Sequence, residues 1–204
     1  MRFEELSVSD LRLAAAHCDT LLVACGGMAA RPPHLPVGSS AFILRKLRDG
    51  LDAALGGRVL SLPLWGFDAP GAERAYAVLP DGAWAGFVQG YIRQIEQDLK
   101  FSRIVVLTDS LDKEALLREA LKTSGHRLKT LVWWRDGLTQ DAKGGAPFVP
   151  GGELETSLIL GMASRLVDLS QQSAEHYGAQ GATVERGRTL WQEIVLQLRS
   201  AINE

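Results

Sequence analysis

Four short apolar runs rich in β-branched residues punctuate this chain, and helix-period patterns separate and follow them. The runs cover residues 20–25, 58–65, 103–108 and 129–134. Each is too short for a buried helix and is bounded by turn or charged residues, so each predicts a strand. Between residues 41 and 55 the apolar side chains Phe42, Ile43, Leu47, Leu51 and Leu55 recur at helical spacing. Residues 84–99 repeat the pattern with Phe87, Val88, Tyr91, Ile92, Ile95 and Leu99, and residues 112–123 with Leu116, Leu117 and Leu121. Two more helices are expected over 155–169 and 189–202. Strands alternating with helices predict an α/β fold: a mostly parallel sheet between two helical layers, a three-layer sandwich. Right-handed crossovers then gather the loops that follow the strands at one edge. Those loops begin near Gly26, Gly66, Asp109 and Arg135.

Composition narrows the function classes. The chain has 204 residues, of which 46% are hydrophobic, enough for a substantial core. Lys and Arg number 22 against 24 Asp and Glu, so no basic face points to nucleic acid. No apolar run is long enough to span a bilayer, which argues against a membrane partner. The first residues, Met1-Arg2-Phe3-Glu4-Glu5, lack an apolar signal core, so a cytoplasmic protein is expected. Cys18 and Cys25 then read as reduced, packed thiols. Two irregular segments, 67–83 and 135–152, are long for connections in one domain and so are candidates for function. His17, His126 and His176 are scattered, without metal-ligand spacing.

The loop Arg31-Pro32-Pro33-His34-Leu35-Pro36-Val37-Gly38-Ser39-Ser40 lies where an α/β protein places its chemistry, between the first strand and the next helix. It carries one histidine and no carboxylate. Pro33-His34-Leu35-Pro36-Val37-Gly38 resembles the P-H-L-P-L-G signature of the creatininase (creatinine amidohydrolase) family. Gly152-Glu153-Leu154-Glu155-Thr156-Ser157 matches that family's G-E-x-E-T-S, and Leu166-Val167-Asp168-Leu169 follows at the usual distance. Phe3-Glu4-Glu5-Leu6-Ser7 and Asp19-Thr20-Leu21-Leu22-Val23 look like its opening helix and first strand. Leu62-Pro63-Leu64-Trp65-Gly66 resembles its second strand end, and Arg103-Ile104-Val105-Val106-Leu107 the strand before its N-G-H-G-G-N loop. The resemblance covers about residues 3–170 of a single creatininase-like domain, 1–204, and leaves 171–204 as a C-terminal helical extension.

The resemblance implies a three-layer α/β fold, a dinuclear metal site and a homo-oligomer. It also shows where this chain departs. The family's first metal loop reads E-x-H-G-P-H-L-P-L-G-T-D, and its first Glu, first His and final Asp are ligands. The corresponding positions here are Ala29, Arg31 and Ser40. The histidine of the third loop falls near Ser110, and the catalytic histidine before G-E-x-E-T-S at or near Pro150. Alanine offers no donor, and arginine brings a fixed positive charge where a divalent cation would sit. No metal ligand is therefore assigned, and no cofactor is expected. Zinc or manganese is the alternative if Asp109 or Asp112 rebuilds the site.

The remaining residues carry the candidate chemistry. Glu153, Asp109 and His34 are the candidate catalytic groups. Arg31, Ser39, Ser40, Glu155 and Trp65 are the candidate ligand-binding groups. Arg31 is placed to take over the electrostatic role of a cation and pair with Glu153 or a bound carboxylate. Spaced by two, Glu153 and Glu155 cannot share a helical face: Glu155 is expected at the helix N-terminus and Glu153 toward the cleft. His34 reads either as an acid/base or as a hydrogen-bonded residue holding its loop. Ser39 and Ser40 read as helix N-caps or, beside a base, as nucleophiles. Asp109 is either a strand-end functional group or a turn residue. Trp65, Trp133 and Trp134 end strands, where they can line a pocket for a flat ligand or pack in the core.

Two functions follow. One is a creatininase-like protein that has lost its metals and acts as a non-catalytic binding or partner subunit. Its partner is another copy, an active paralogue or a pathway enzyme, with the helix over 189–204 as a candidate contact. The other is a metal-free or rebuilt amidohydrolase, in which Arg31, His34, Asp109, Glu153 and Glu155 cleave a cyclic amide or similar C–N bond.

Overall fold

The computed structural model describes residues 1–68, 76, 78–140, 148–172 and 177–204. Within them the four apolar runs form one sheet. Strands β1 (Thr20–Cys25), β2 (Val59–Ser61), β3 (Arg103–Thr108) and β4 (Arg127–Val132) are all parallel, in the order β2-β1-β3-β4. Thr20 lies opposite both Val59 and Arg103, and Arg103 opposite Arg127. The helices are α1 (Val8–His17), α2 (Ser39–Leu55), α3 (Asp81–Asp98), α4 (Leu111–Leu121), the single turn α5 (Trp133–Asp136), α6 (Glu153–Ala163) and α7 (Val184–Asn203). None of the described helices is long and apolar enough to cross a membrane.

Strand alternation divides the core in two. Leu22 and Ala24 of β1, with Val105 and Leu107 of β3, face α2, α6 and α7. Leu21, Val23 and Cys25, with Ile104 and Val106, face α3 and α4. A period of two sends successive side chains to opposite faces, so runs that are apolar throughout require a helical layer on each side. This is the expected three-layer α/β architecture, with the sheet wholly parallel. Cys18 and Cys25 are buried free thiols, and burial pushes the Cys25 thiol up to about 12.

Several boundaries differ from the sequence pattern for local reasons. The run 58–65 forms a ladder only to Ser61, because Pro63 has no N–H to donate; Trp65 then rejoins as an isolated bridge to Cys25. The run 129–134 stops at Val132, whose N–H donates to the Asp136 carboxylate at 2.7 Å and closes the turn α5. The helix expected over 155–169 begins at Glu153 and ends at Ala163, followed by 3₁₀ turns at Ser164–Leu166 and Leu169–Gln171. Residues 3–5 form a 3₁₀ turn, and the opening helix is α1, capped by Ser7. Gly38, not a serine, caps α2. Parts of the two long irregular segments (69–75, 77 and 141–147) and His176 lie outside the described residues.

The C-terminal helix belongs to the core. Leu190, Ile194, Leu198 and Ile202 of α7 are buried at four-residue spacing among the side chains of α2 and α6. Helices α6 and α7 touch through backbone, at Gly161 and Gly187. A Cβ on Gly161 would lie 2.7 Å from the Gly187 carbonyl carbon, and one on Gly187 would overlap the Ser157 carbonyl. Only glycine permits this approach.

Candidate functional site

The strand order reverses direction at β1: the chain crosses from β1 to β2 on one side and returns to β3 on the other. In parallel sheets such a switch opens a crevice beyond the carboxyl ends of the strands. A cleft of about 350 Å³ lies there. Its lining comes from the loops after all four strands: Gly27, Ala29 and Arg31 after β1, Asp68 after β2, Asp109, Ser110, Asp112 and Lys113 after β3, and Trp133 after β4. Ser40, Phe148, Pro150 and Glu155 complete it.

Two ionic groups line the cleft, one built on Arg31 and the other on Lys113. The Arg31 Nε–H donates to both Glu155 carboxylate oxygens at 3.0 Å, and Arg31 Nη1 donates to the Ala30 carbonyl at 3.1 Å. The two side chains are 8% and 1% exposed. The Gly151 N–H donates to the same carboxylate at 2.6 Å, and Gly151 has the left-handed φ of 78° that this turn demands. Burial is the largest influence on Glu155 and pushes its carboxyl upward; Arg31 and the Gly151 N–H pull back without cancelling it.

The second group centres on Lys113, in the first turn of α4. A lysine there opposes the helix dipole and is 6% exposed. Two carboxylates compensate: Asp109 accepts from Nζ at 2.8 Å, and Asp68 is ion-paired with the same ammonium. Burial works against the ammonium, but the attraction of Asp109 and then Asp68 outweighs it and raises the Lys113 pKa. Gly27 makes room for Asp68, since a Cβ there would lie 2.8 Å from the Asp68 backbone nitrogen. The Ser40 hydroxyl donates to Asp109. The carboxylate next to Ser40 is thus already neutralised by Lys113, which makes it a poor base for activating the hydroxyl. The Trp134 ring N–H donates to the Asp109 carbonyl at 2.8 Å, and Phe148 stacks on Trp134 with ring centroids 5.2 Å apart.

Of the candidate residues, Arg31, Ser40, Asp109 and Glu155 come together here. The others stand elsewhere. Glu153 and Glu155 exchange the places expected of them: Glu155 points into the cleft, while Glu153 pairs with Arg186 of α7 and is 34% exposed. Two residues of helix turn the side chain through roughly 200°, and the docking of α6 decides which of the two faces inward. His34 is buried behind the cleft, with Nε2 hydrogen-bonded to Thr156 Oγ1 at 3.0 Å; its own carbonyl accepts from the Asp168 N–H. It ties the 31–40 loop to α6. Ser39 is not a cap: its hydroxyl donates to the Pro36 carbonyl at 2.7 Å. Trp65 packs edge-on against Phe87 and Tyr91, each at 5.6 Å, in the opposite core layer.

Sequence reasoning missed Lys113, Asp68 and Phe148. Lys113 had a signal, because it stands four residues after Asp109 at a helix start. Asp68 and Phe148 sit in irregular segments without periodicity, so nothing local marked them.

The donor set can be tested against the dinuclear metal site that the resemblance implies. Among the described residues no three His, Cys, Asp or Glu side chains form a group that could hold a metal ion. Ala29 has no donor, Glu155 is held by Arg31, and Asp68 and Asp109 are held by Lys113, which leaves Asp112, an exposed residue, as the one lining carboxylate outside these ion pairs. To gain more than that one carboxylate, a divalent cation would have to expel a guanidinium or an ammonium from its partners. The residues present do not fit a two-metal centre.

An all-parallel three-layer sandwich with its cleft at this switch point is a creatininase-like α/β fold. Solved structures bear this out. A crystal structure of creatinine amidohydrolase (creatininase) superimposes with a TM-score of 0.82 at 17% identity, over 98% of this chain and 96% of that one. A creatininase with Mn gives 0.80 at 17% identity, and a Zn-Zn type creatininase mutant 0.78 at 18%, each over the same shares. At these identities the likeness is one of fold. No protein-family model matches the chain, and no curated protein matches it by sequence.

Proposed function

We propose that this chain is a creatininase-like binding protein in which two fixed cationic side chains, Arg31 and Lys113, have replaced a dinuclear metal centre. The observation that carries the reading is the pairing of three of the four cleft carboxylates: Glu155 with Arg31, and Asp68 and Asp109 with Lys113. General-base catalysis needs a carboxylate or imidazole free to take a proton from water. Three of the cleft's four carboxylates are held by cations and the fourth, Asp112, is exposed to solvent; His34 is engaged behind the cleft, and Glu153 faces away. These placements support the binding reading over a rebuilt amidohydrolase. The ligand is a small flat molecule lying against Trp133 and Phe148, in a volume within the usual range for such sites.

The protein acts in a homo-oligomer or beside an active paralogue or pathway enzyme. Exposed Met28, Phe67, Leu111 and Val149 are sequence neighbours of cleft-lining residues, and an apolar rim of this kind supports a subunit contact across the mouth. The two unbridged thiols support a reducing compartment such as the cytoplasm.

Elemental analysis of the purified protein, followed by calorimetric titration with zinc and manganese, tests the exchange of metals for side chains. Substoichiometric metal and no saturable binding are expected. Stoichiometric zinc or manganese that is lost in Asp109→Asn overturns the proposal. A panel of cyclic amides tests catalysis separately. Turnover abolished by Asp109→Asn or Glu155→Gln makes the protein a rebuilt amidohydrolase.

A further inference from the structure

A second concave surface lies away from the cleft, between α2, α6 and α7. Two adjoining hollows of about 390 and 320 Å³ share Lys46, Gly161, Met162 and Arg188. The floor is apolar, with Phe42, Met162 and Trp191 only partly buried against the core. Gly161 keeps the floor low, because α7 crosses there on backbone. The rim is cationic. Lys46, Arg165 and Arg188 are exposed, no acidic residue lines either hollow, and none of the three has a carboxylate partner among the described residues. Arg45 and Lys46 also lie over the Phe42 ring, at 5.7 and 5.9 Å.

The whole chain carries a formal charge of −2, and eight of its other described cations stand beside carboxylates. A cluster of exposed cations around an apolar floor is left without internal compensation, and its complement is an acidic ligand with apolar anchors. The surface is an open groove with its charges in solvent, whereas sites for small molecules bury most of their ligand. The net negative charge disfavours long polyanions and anionic membranes.

We propose that the groove between α2, α6 and α7 docks a short acidic segment of another protein, its aromatic or aliphatic side chains seated on Phe42, Met162 and Trp191 and its carboxylates on Lys46, Arg165 and Arg188. The mode is that of a peptide laid along a groove, with charge setting approach and register. Since the groove shares no residue with the cleft, the inference stands whether or not the cleft is catalytic.

The test is selection from an unbiased displayed-peptide library on the immobilised full chain, repeated on Lys46→Glu/Arg188→Glu and on Arg12→Glu. Arg12 is an exposed cation on α1, on the other side of the sheet. Peptides rich in Asp and Glu with aromatic or aliphatic residues are expected to enrich on the wild type and on Arg12→Glu. The double charge reversal is expected to weaken them by about tenfold or more, measured by fluorescence anisotropy, with affinity falling as salt rises. Both altered residues are exposed, and circular dichroism checks that the fold is kept. Peptides of no common charge, or acidic peptides that bind the double variant equally, overturn the proposal. So does self-association in sedimentation velocity that the double variant abolishes, since the occupant is then a second copy. Binding to phosphatidylglycerol vesicles with no acidic peptide enriched overturns it as well.

Discussion

At the residue scale the decisive feature is the pairing of opposite charges inside the cleft. A carboxylate that is 1% exposed needs a partner, and Glu155 has one in Arg31. Removing one member of such a pair is costly, while replacing both with apolar groups is often nearly neutral. Arg31→Met is therefore expected to destabilise the fold by about 3–5 kcal/mol, and Arg31→Met/Glu155→Leu to recover most of that loss, read as a double-mutant cycle in urea. The sign of the pH dependence follows from the direction of the shift. Glu155 titrates above its ordinary 4.5 in the folded protein, because burial favours the neutral form. Its protonated form stabilises the fold below that value, and the benefit is lost as pH rises through the folded pKa. Without Arg31 the folded pKa rises further, so Arg31→Met should lose stability more steeply than wild type as pH climbs above 4.5. A flat difference between the two across that range would show that the pair carries no net charge coupling.

At the element scale, glycines and one buried carboxylate hold the layers in place. The crossing of α6 over α7 depends on Gly161 and Gly187, so Gly187→Ala is expected to cost about 3 kcal/mol, at the upper end of overpacking effects. Gly86 in α3 has nothing within 4 Å of a built Cβ and is exposed, so Gly86→Ala should instead stabilise by about 1 kcal/mol through helix propensity. Thermal melts of the two variants should move in opposite directions. Glu114 of α4 joins β4 and α5: it accepts from Thr130 at 2.7 Å and from Arg135 at 2.6 Å. The Arg135 hydrogen bond is the largest influence that holds its carboxyl down to about 2. A depressed carboxyl pKa adds stability above the unfolded value that is lost as pH falls through the folded one. Stability should therefore decline between pH 4.5 and about 2, and Glu114→Gln should remove about 2 kcal/mol of that decline once the exposure of Arg135 is allowed for. The strand and helix types were legible because periodicity is a local signal. Their ends were less so: Pro63 interrupts β2, and the Asp136 carboxylate turns the chain after Val132.

At the scale of the whole molecule, the C-terminal helix decides how the chain should be divided. Residues 171–204 read as an extension beyond the resemblance, yet the buried face of α7 completes one of the two cores. Ending the chain at residue 183 is expected to expose that core and abolish cooperative unfolding in denaturant; a cooperative transition with unchanged midpoint would mean α7 is dispensable. By itself the sequence determined the alternation of strand and helix, the parallel sheet covered on both faces, the position of the 31–40 loop and the side-chain types it carries, an alanine at 29 and an arginine at 31. These follow from periodicity, turn chemistry and side-chain type, all of which are written locally. Only the tertiary structure decided that Glu155 rather than Glu153 enters the cleft, that His34 lies behind it, and that Lys113 and Asp68 meet there across residues 45 positions apart. Those outcomes depend on how rigid elements dock, and the direction in which a side chain points after docking is not encoded in its neighbours along the chain.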